Sequence, residues 1–285
     1  MQPTDVSTAS LVAVGVVALF CLLGAVTVQI VWARRRRWLW ISFGLGVFTF
    51  TVTQLLTRIP LVTAVLPALP EWRALLSNAW VAAIVLSFSA ALFEETGRLI
   101  VMSTLLRRNR RTHADGVAFG LGHGGWEAFV LIGLSMVSVL VLGVMAKTGQ
   151  WETLTATMPG EAAEALRVQL SELTVPAVVA GGLERVSAIA LHIGLSVLVL
   201  LGVVRGRPGR AWLVALLVHG VVNLIATVAL TIWGWPLFAI EGMLLVVGAL
   251  SIAWVLRARS AFASAPSDGG HGGAGEGHEI PRAQL

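Results

Sequence analysis

The chain has 285 residues, of which 56% are hydrophobic and only 12% charged, with a mean hydropathy of +0.84 and a formal net charge of +5. That balance excludes an ordinary soluble domain, in which about a quarter of residues carry charge. A sequence pI near 11.1 would suit a nucleic-acid partner, but the arginines punctuate apolar runs instead of lining a soluble face, so no nucleic-acid role is expected. The expected fold is all-α, a polytopic transmembrane helical bundle of about seven spans. Each run approaches or exceeds the roughly 20 residues that cross about 30 Å of hydrocarbon as a helix.

The first run covers about residues 10 to 33. It has no basic stretch before it and the arginines 34–37 after it, so it reads as a retained span and not as a cleaved signal peptide. Cys21, the single cysteine, lies within it and reads as packing. A second run, about 38 to 57, leads into a segment broken by Pro60, Pro67 and Pro70. The third, about 78 to 106, carries "EETGR" at 94–98, and the fourth, about 116 to 146, carries "FGLGHGGWE" at 119–127. An acidic connection with Glu152, Glu161, Glu164 and Glu172 follows, and its stretch 160–173 has the pattern of a short amphipathic helix at the membrane interface. The fifth run, about 175 to 204, contains Glu184, Arg185 and His192. The sixth, about 211 to 232, contains His219 and Asn223, and after the turn "WGWP" the seventh, about 236 to 256, contains Glu241.

Basic clusters at 34–37, 107–111, 205–210 and 257–259 occupy every second connection. The positive-inside rule assigns that face to the cytoplasm, with the N-terminus outside and the C-terminus inside. Residues 1–259 then form one transmembrane domain, with the segments that carry most of its intramembrane polar residues at about 78–232. Residues 260–285, rich in Gly and Ser and holding His271 and His278, read as a disordered cytoplasmic tail.

Ionisable groups inside a span cost a few kcal/mol each on insertion scales and need a partner, a wet cavity or a function. At about 1.5 Å per residue, Glu94 lies about 20 Å above the cytoplasmic boundary, His123 about 18 Å, His192 about 20 Å and His219 about 14 Å. Four helices therefore bring polar groups to one layer, which points to a site. By helical spacing Glu94 and Arg98 share a face and can pair, while Glu95 points about 100° away. His123 and Glu127 share a face with Phe119, and His219 shares one with Asn223. Gly116, Gly120 and Gly124 form a small-residue ridge that lets another helix approach closely. Glu184, Arg185 and Glu241 read as structural.

Through these motifs the sequence resembles the YhfC family of predicted intramembrane proteases, within the superfamily of the CAAX prenyl endopeptidases (Abi group) and PrsW. The similar elements are "EETGR", "FGLGHGGWE", "ERVSAIALHIGLS" (184–196) and "HGVVN" (219–223). "EETGR" is one residue shorter than the superfamily's EExxxR and looks like the YhfC branch and the related EExxK of PrsW. The resemblance implies a glutamate-dependent intramembrane endopeptidase in a bacterial plasma membrane. Its substrate would be a membrane-embedded or lipid-modified peptide. Glu94 would be the base that activates water, Glu95 would orient it or share its proton, and His123 would bind the water or balance the charge of the glutamate. His219 and Asn223 would donate to the oxyanion, with Arg98, Glu127, His192 and Phe119 in support.

Peptide hydrolysis in a membrane needs a water nucleophile, a base and oxyanion donors in a cavity that admits water. With no HExxH and no two histidines four apart on one helix, metal-free chemistry is the expectation, with no cofactor. Zinc on Glu94, His123, His192 and His219 is the close variant. Two other classes stay open. A proton-coupled transporter would string polar groups from face to face, and a catalytically silent scaffold would keep the glycine ridge but not need Glu94. No feature of the sequence specifies an oligomeric state.

Overall fold

Proline and polar residues, more than the apolar majority, set where the helices begin, bend and stop. The computed structural model describes residues 6–34, 36–106 and 111–264. Helix α1 (Thr8–Ala33) starts where the Ser7 hydroxyl accepts from the Ser10 amide. α2 (Leu39–Ala68) is α-helical to Phe50 and π-helical over Thr51–Arg58 and Leu61–Val65. A short α3 (Pro70–Leu76) precedes α4 (Ala79–Thr104), whose N-cap Asn78 accepts from the amides of Trp80 and Val81. α5 (His113–Lys147) opens with a capping box between Thr112 and Asp115 and has a π-helical turn at Ala128–Gly133. Two short helices, α6 (Trp151–Thr155) and α7 (Gly160–Ser171), lead into α8 (Val175–Val204), α9 (Pro208–Thr231) and α10 (Leu237–Ala263).

Seven of these, α1, α2, α4, α5, α8, α9 and α10, are long and apolar enough to span a membrane, and no strand occurs among the described residues. The chain is a multi-pass membrane protein. The alternation puts the arginine-bearing connections on one face. On that face Arg205 donates to the Ala261 carbonyl and His113 reaches the Val255 carbonyl at 2.8 Å. On the other, Lys147 donates to the Val6 carbonyl and Trp80 meets Trp233 edge-on.

Three boundaries differ from the sequence expectation. α2 does not break near Pro60 but runs to Ala68, because wide π turns take up the proline ring and its missing N–H. α5 starts at His113, since its cap satisfies the first amides there. α10 continues past Ser260 to Ala263, while 265–285, with His271 and His278, lie outside the described residues, as do 107–110. The 160–173 segment is helical as α7, and its Leu166 and Leu170 are buried in a cluster with Leu11, Val139 and Ala146.

α8 is the central helix: 56% of its 18-residue apolar stretch is buried, against 22–39% for the corresponding stretches of the other spans. α5 is wedged between α8 and α2. A Cβ at Gly120 would lie 2.4 Å from the Ile193 Cα, and one at Gly124 3.0 Å from the Ile189 Cα. On the opposite side of α5, Cβ atoms at Gly122 of α5 and Gly46 of α2 would each meet a backbone carbonyl oxygen at 2.1 Å, those of Phe43 and Phe119 respectively. The ridge read from the sequence is real, and a second one faces the other way.

Gly120→Ala therefore forces backbone apart and is expected to destabilise the protein by about 1–3 kcal/mol. Gly44→Ala, with nothing within 4 Å of the new Cβ, should be neutral or gain up to about 1 kcal/mol from helix propensity. Thermal unfolding of both variants in detergent checks the contrast.

Candidate functional site

The wedge places His123 of α5 against α4 and α8. Its Nε2 lies 2.9 Å from Glu94 Oε2, its ring centroid lies 4.8 Å from that of His192, and Phe50 of α2 packs edge-on against it. His219 of α9 closes the group, edge-on to His192 at 5.2 Å. Glu94, Glu95, Arg98, His123, His192 and His219 are all buried. The layer inferred from depth is a contiguous cluster.

The two glutamates are divided between two networks. Glu95 accepts from Arg98 Nη1 at 2.5 Å on both oxygens and from His219 Nδ1 at 2.8 Å, and it has no exposure. Glu94 accepts from Gln54 Nε2 at 2.6 Å on Oε1 and faces His123 with Oε2. The expected Glu94–Arg98 pair is thus replaced by Glu95–Arg98 at i,i+3. Both spacings allow contact, and His219 settles the choice by docking on the Glu95 side. Arg98 Nη2 also lies 3.0 Å from His192 Nδ1. A guanidinium only donates, so Nδ1 accepts and the imidazole carries its proton on Nε2. That Nε2 is 2.7 Å from Glu127 Oε2, close but off the line of a hydrogen bond.

Above the cluster lies a cavity of about 230 Å³, lined by Gln54, Arg58, Glu94, Glu127, Glu184, Arg185, His192, His219 and Asn223 among others. Glu95 and Arg98 do not line it. Asn223 does, as expected, whereas Phe119 is fully buried below the site in an apolar cluster with Met102, Leu195 and Val199. Glu184 and Arg185, read from the sequence as structural, belong to the cavity wall. Arg185 pairs with Glu184 and, at 3.2 Å, with Glu127. Sequence reading missed Gln54 and Arg58, where Arg58 Nη1 donates to Gln54 Oε1 at 3.3 Å and Nη2 to the Leu86 carbonyl. Their signal was an i,i+4 polar pair at the end of an apolar span.

Glu94, His123 and His192 each offer one donor atom, and the three atoms lie within 4.8 Å of one another. Glu94 Oε2 is 2.9 Å from His123 Nε2 and 3.9 Å from His192 Nδ1. Donors of a tetrahedral zinc with bonds of about 2.1 Å stand about 3.4 Å apart, so these two distances bracket what the ion needs. One carboxylate and two imidazoles form a three-ligand set of the kind that leaves a fourth position open to water. The residues fit a divalent metal. For the ion to bind, Arg98 would have to leave His192 Nδ1 and the proton shared by His123 Nε2 and Glu94 Oε2 would have to leave as well.

The family described as YhfC intramembrane metalloprotease matches residues 19–245. The membrane protein YhfC of Bacillus subtilis (strain 168) is 38% identical over 176 residues, covering 61% of this chain and 67% of that protein. No solved structure matches.

The Glu95–Arg98 pair is fully buried, so removing one partner strands a charge. Arg98→Met is expected to cost about 3–5 kcal/mol, and adding Glu95→Leu to it should recover much of the loss. Unfolding midpoints of the single and double variants test this.

Proposed function

Because the chain belongs to the YhfC family of intramembrane metalloproteases, we propose that it hydrolyses peptide bonds of membrane-embedded or membrane-associated substrates at the Glu94, His123 and His192 cluster, which holds one divalent zinc ion. The observation that carries this reading is the convergence of the three donor atoms beside a cavity inside the bundle, which Glu94 and His192 line and behind which His123 is buried.

An ion held there would supply Lewis acidity, polarising the scissile carbonyl and making water nucleophilic near neutral pH. The protein's own residues do the rest. Gln54 fixes Glu94 by holding Oε1, which leaves Oε2 for the site. Glu127 orients His192 from the Nε2 side, in the manner of the carboxylates that support metal-bound imidazoles. Glu127 is also a carboxylate on the cavity wall within reach of the same space, and it takes the proton from the attacking water and returns it to the leaving amine. His219 and Asn223, on one face of α9, hold the developing oxyanion. Glu95 is a positioning residue, since both its oxygens are spent on Arg98 and one also on His219.

One observation favours the metal-free version, in which Glu94 itself is the base: the lone pair of His192 Nδ1 is already met by Arg98. The two versions separate cleanly. In the zinc version, purified protein carries one zinc per chain, chelator removes both zinc and cleavage of membrane-protein substrates, and Glu94→Gln and His123→Ala lose both. Zinc-free protein whose cleavage resists chelator yet vanishes in Glu94→Gln would establish the metal-free version instead. Full function of Glu94→Ala in cells would overturn both.

A further inference from the structure

Apart from Leu191, Val222 and Val247, which border both, the cavity and the apolar packing below it lie on opposite sides of the site along α4, α5, α8 and α9. On α4 and α8 the cavity residues precede the site in sequence: Ala90 before Glu94, and Glu184 and Ala188 before His192. On α5 and α9, which run the other way, they follow it: Leu131 after His123, and Asn223 and Ala226 after His219. At about 1.5 Å per residue, Leu131 and Glu184 are each about 12 Å from the site residue of their helix, and Ala226 about 10 Å. All of these offsets point away from the arginine-bearing connections.

Towards the arginine face the same four helices close. Val101 and Met102 of α4, Phe119 of α5, Val199 and Leu200 of α8 and Ala215 of α9 form one buried cluster, each between 0% and 6% exposed. Water crosses no such layer readily, because it holds no polar partner. The other side of the cavity, by contrast, is lined by the charged groups of Arg58, Glu184 and Arg185. Both π-helical turns, Thr51–Arg58 on α2 and Ala128–Gly133 on α5, contribute to that wall through Gln54, Arg58 and Leu131.

We propose that the site is reached solely from the face opposite the arginine clusters, so that its substrate is a membrane-anchored peptide whose scissile bond lies in that outer, extracytoplasmic half of the membrane. This deepens the protease reading and rests on it for the word substrate, but the access route is a property of the cavity alone. The charged lining suits a segment already unwound and partly hydrated, since a continuous apolar helix would offer Arg58 and Glu184 no polar partner. The assignment of the arginine face to the cytoplasm follows the positive-inside rule.

Thiol accessibility tests the route without any proteolysis. Cys21 is the single cysteine, so Cys21→Ser gives a cysteine-free background. Into it go Ala226→Cys at the cavity and, separately, Arg259→Cys on the arginine face. A membrane-impermeant sulfonated methanethiosulfonate is applied to intact spheroplasts and to inverted vesicles. The expected result is Ala226→Cys labelled in spheroplasts only and Arg259→Cys in inverted vesicles only. A cavity cysteine labelled from the side of Arg259→Cys, from both sides or from neither overturns the proposal. Ala188→Cys, on a different helix of the same wall, repeats the measurement should Ala226→Cys fold poorly. Because the readout is labelling, the sidedness can fail while the protease reading stands, and the reverse.

Discussion

The approach of α5 to two neighbours at once is the constraint on which the site depends. Backbones in contact leave no room for a Cβ, so glycine is required at 120 and 122 of α5 and at 46 of α2. Between lipid-exposed helices there is no hydrophobic drive to associate, since lipid tails are as apolar as leucine, and close packing has to supply the attraction. Small residues let backbones meet over a long seam. The seam also fixes where His123 sits, because a side chain borne between two such contacts moves only by its own torsions.

That rigidity matters because the cluster is electrostatically expensive. Two carboxylates, a guanidinium and three imidazoles share one layer of a low-dielectric bundle, and unpaired they would each favour unfolding or neutralisation. The packing resolves this by separating the charges into a sealed part and an open part. Glu95 and Arg98 neutralise each other with no solvent contact, and His219 adds a third contact to the pair. Glu94, held by Gln54 and facing His123, keeps access to the cavity. One glutamate is sealed into the packing and the other faces the cavity. A buried ion pair contributes little net stability against an apolar replacement, so its value lies in orienting the groups around it.

Much of this was legible in the sequence, and what was not has a physical reason. Seven spans and the shared layer follow from charge punctuation and helical rise, neither of which depends on tertiary detail. The seam of Gly116, Gly120 and Gly124 follows from period alone. The partner of Arg98 was not legible, since i−3 and i−4 carboxylates are both in reach of a long side chain and a residue 121 positions away in sequence decides between them. Gln54 and Arg58 were hidden because Pro60 suggests a broken helix, whereas π turns carry α2 past it. Glu184 and Arg185 looked peripheral by depth, yet the cavity reaches up to them, and depth read from sequence says nothing of how far a cavity extends.

The position of Arg98 links the packing to the chemistry. Its Nη1 is committed to Glu95, while Nη2 meets the same His192 nitrogen that completes the three-donor set. A cation at that nitrogen is required in either version of the site, because a lone pair turned into a buried cluster beside Glu94 is otherwise unsatisfied. The guanidinium supplies it as a hydrogen-bond donor, and a divalent ion would supply it as a coordination bond. A divalent ion would have to displace the guanidinium from that one lone pair, and the Glu95 contact anchors the guanidinium that it would displace. Glu95 and Arg98 do not line the cavity, yet through His192 Nδ1 the pair reaches the three-donor set.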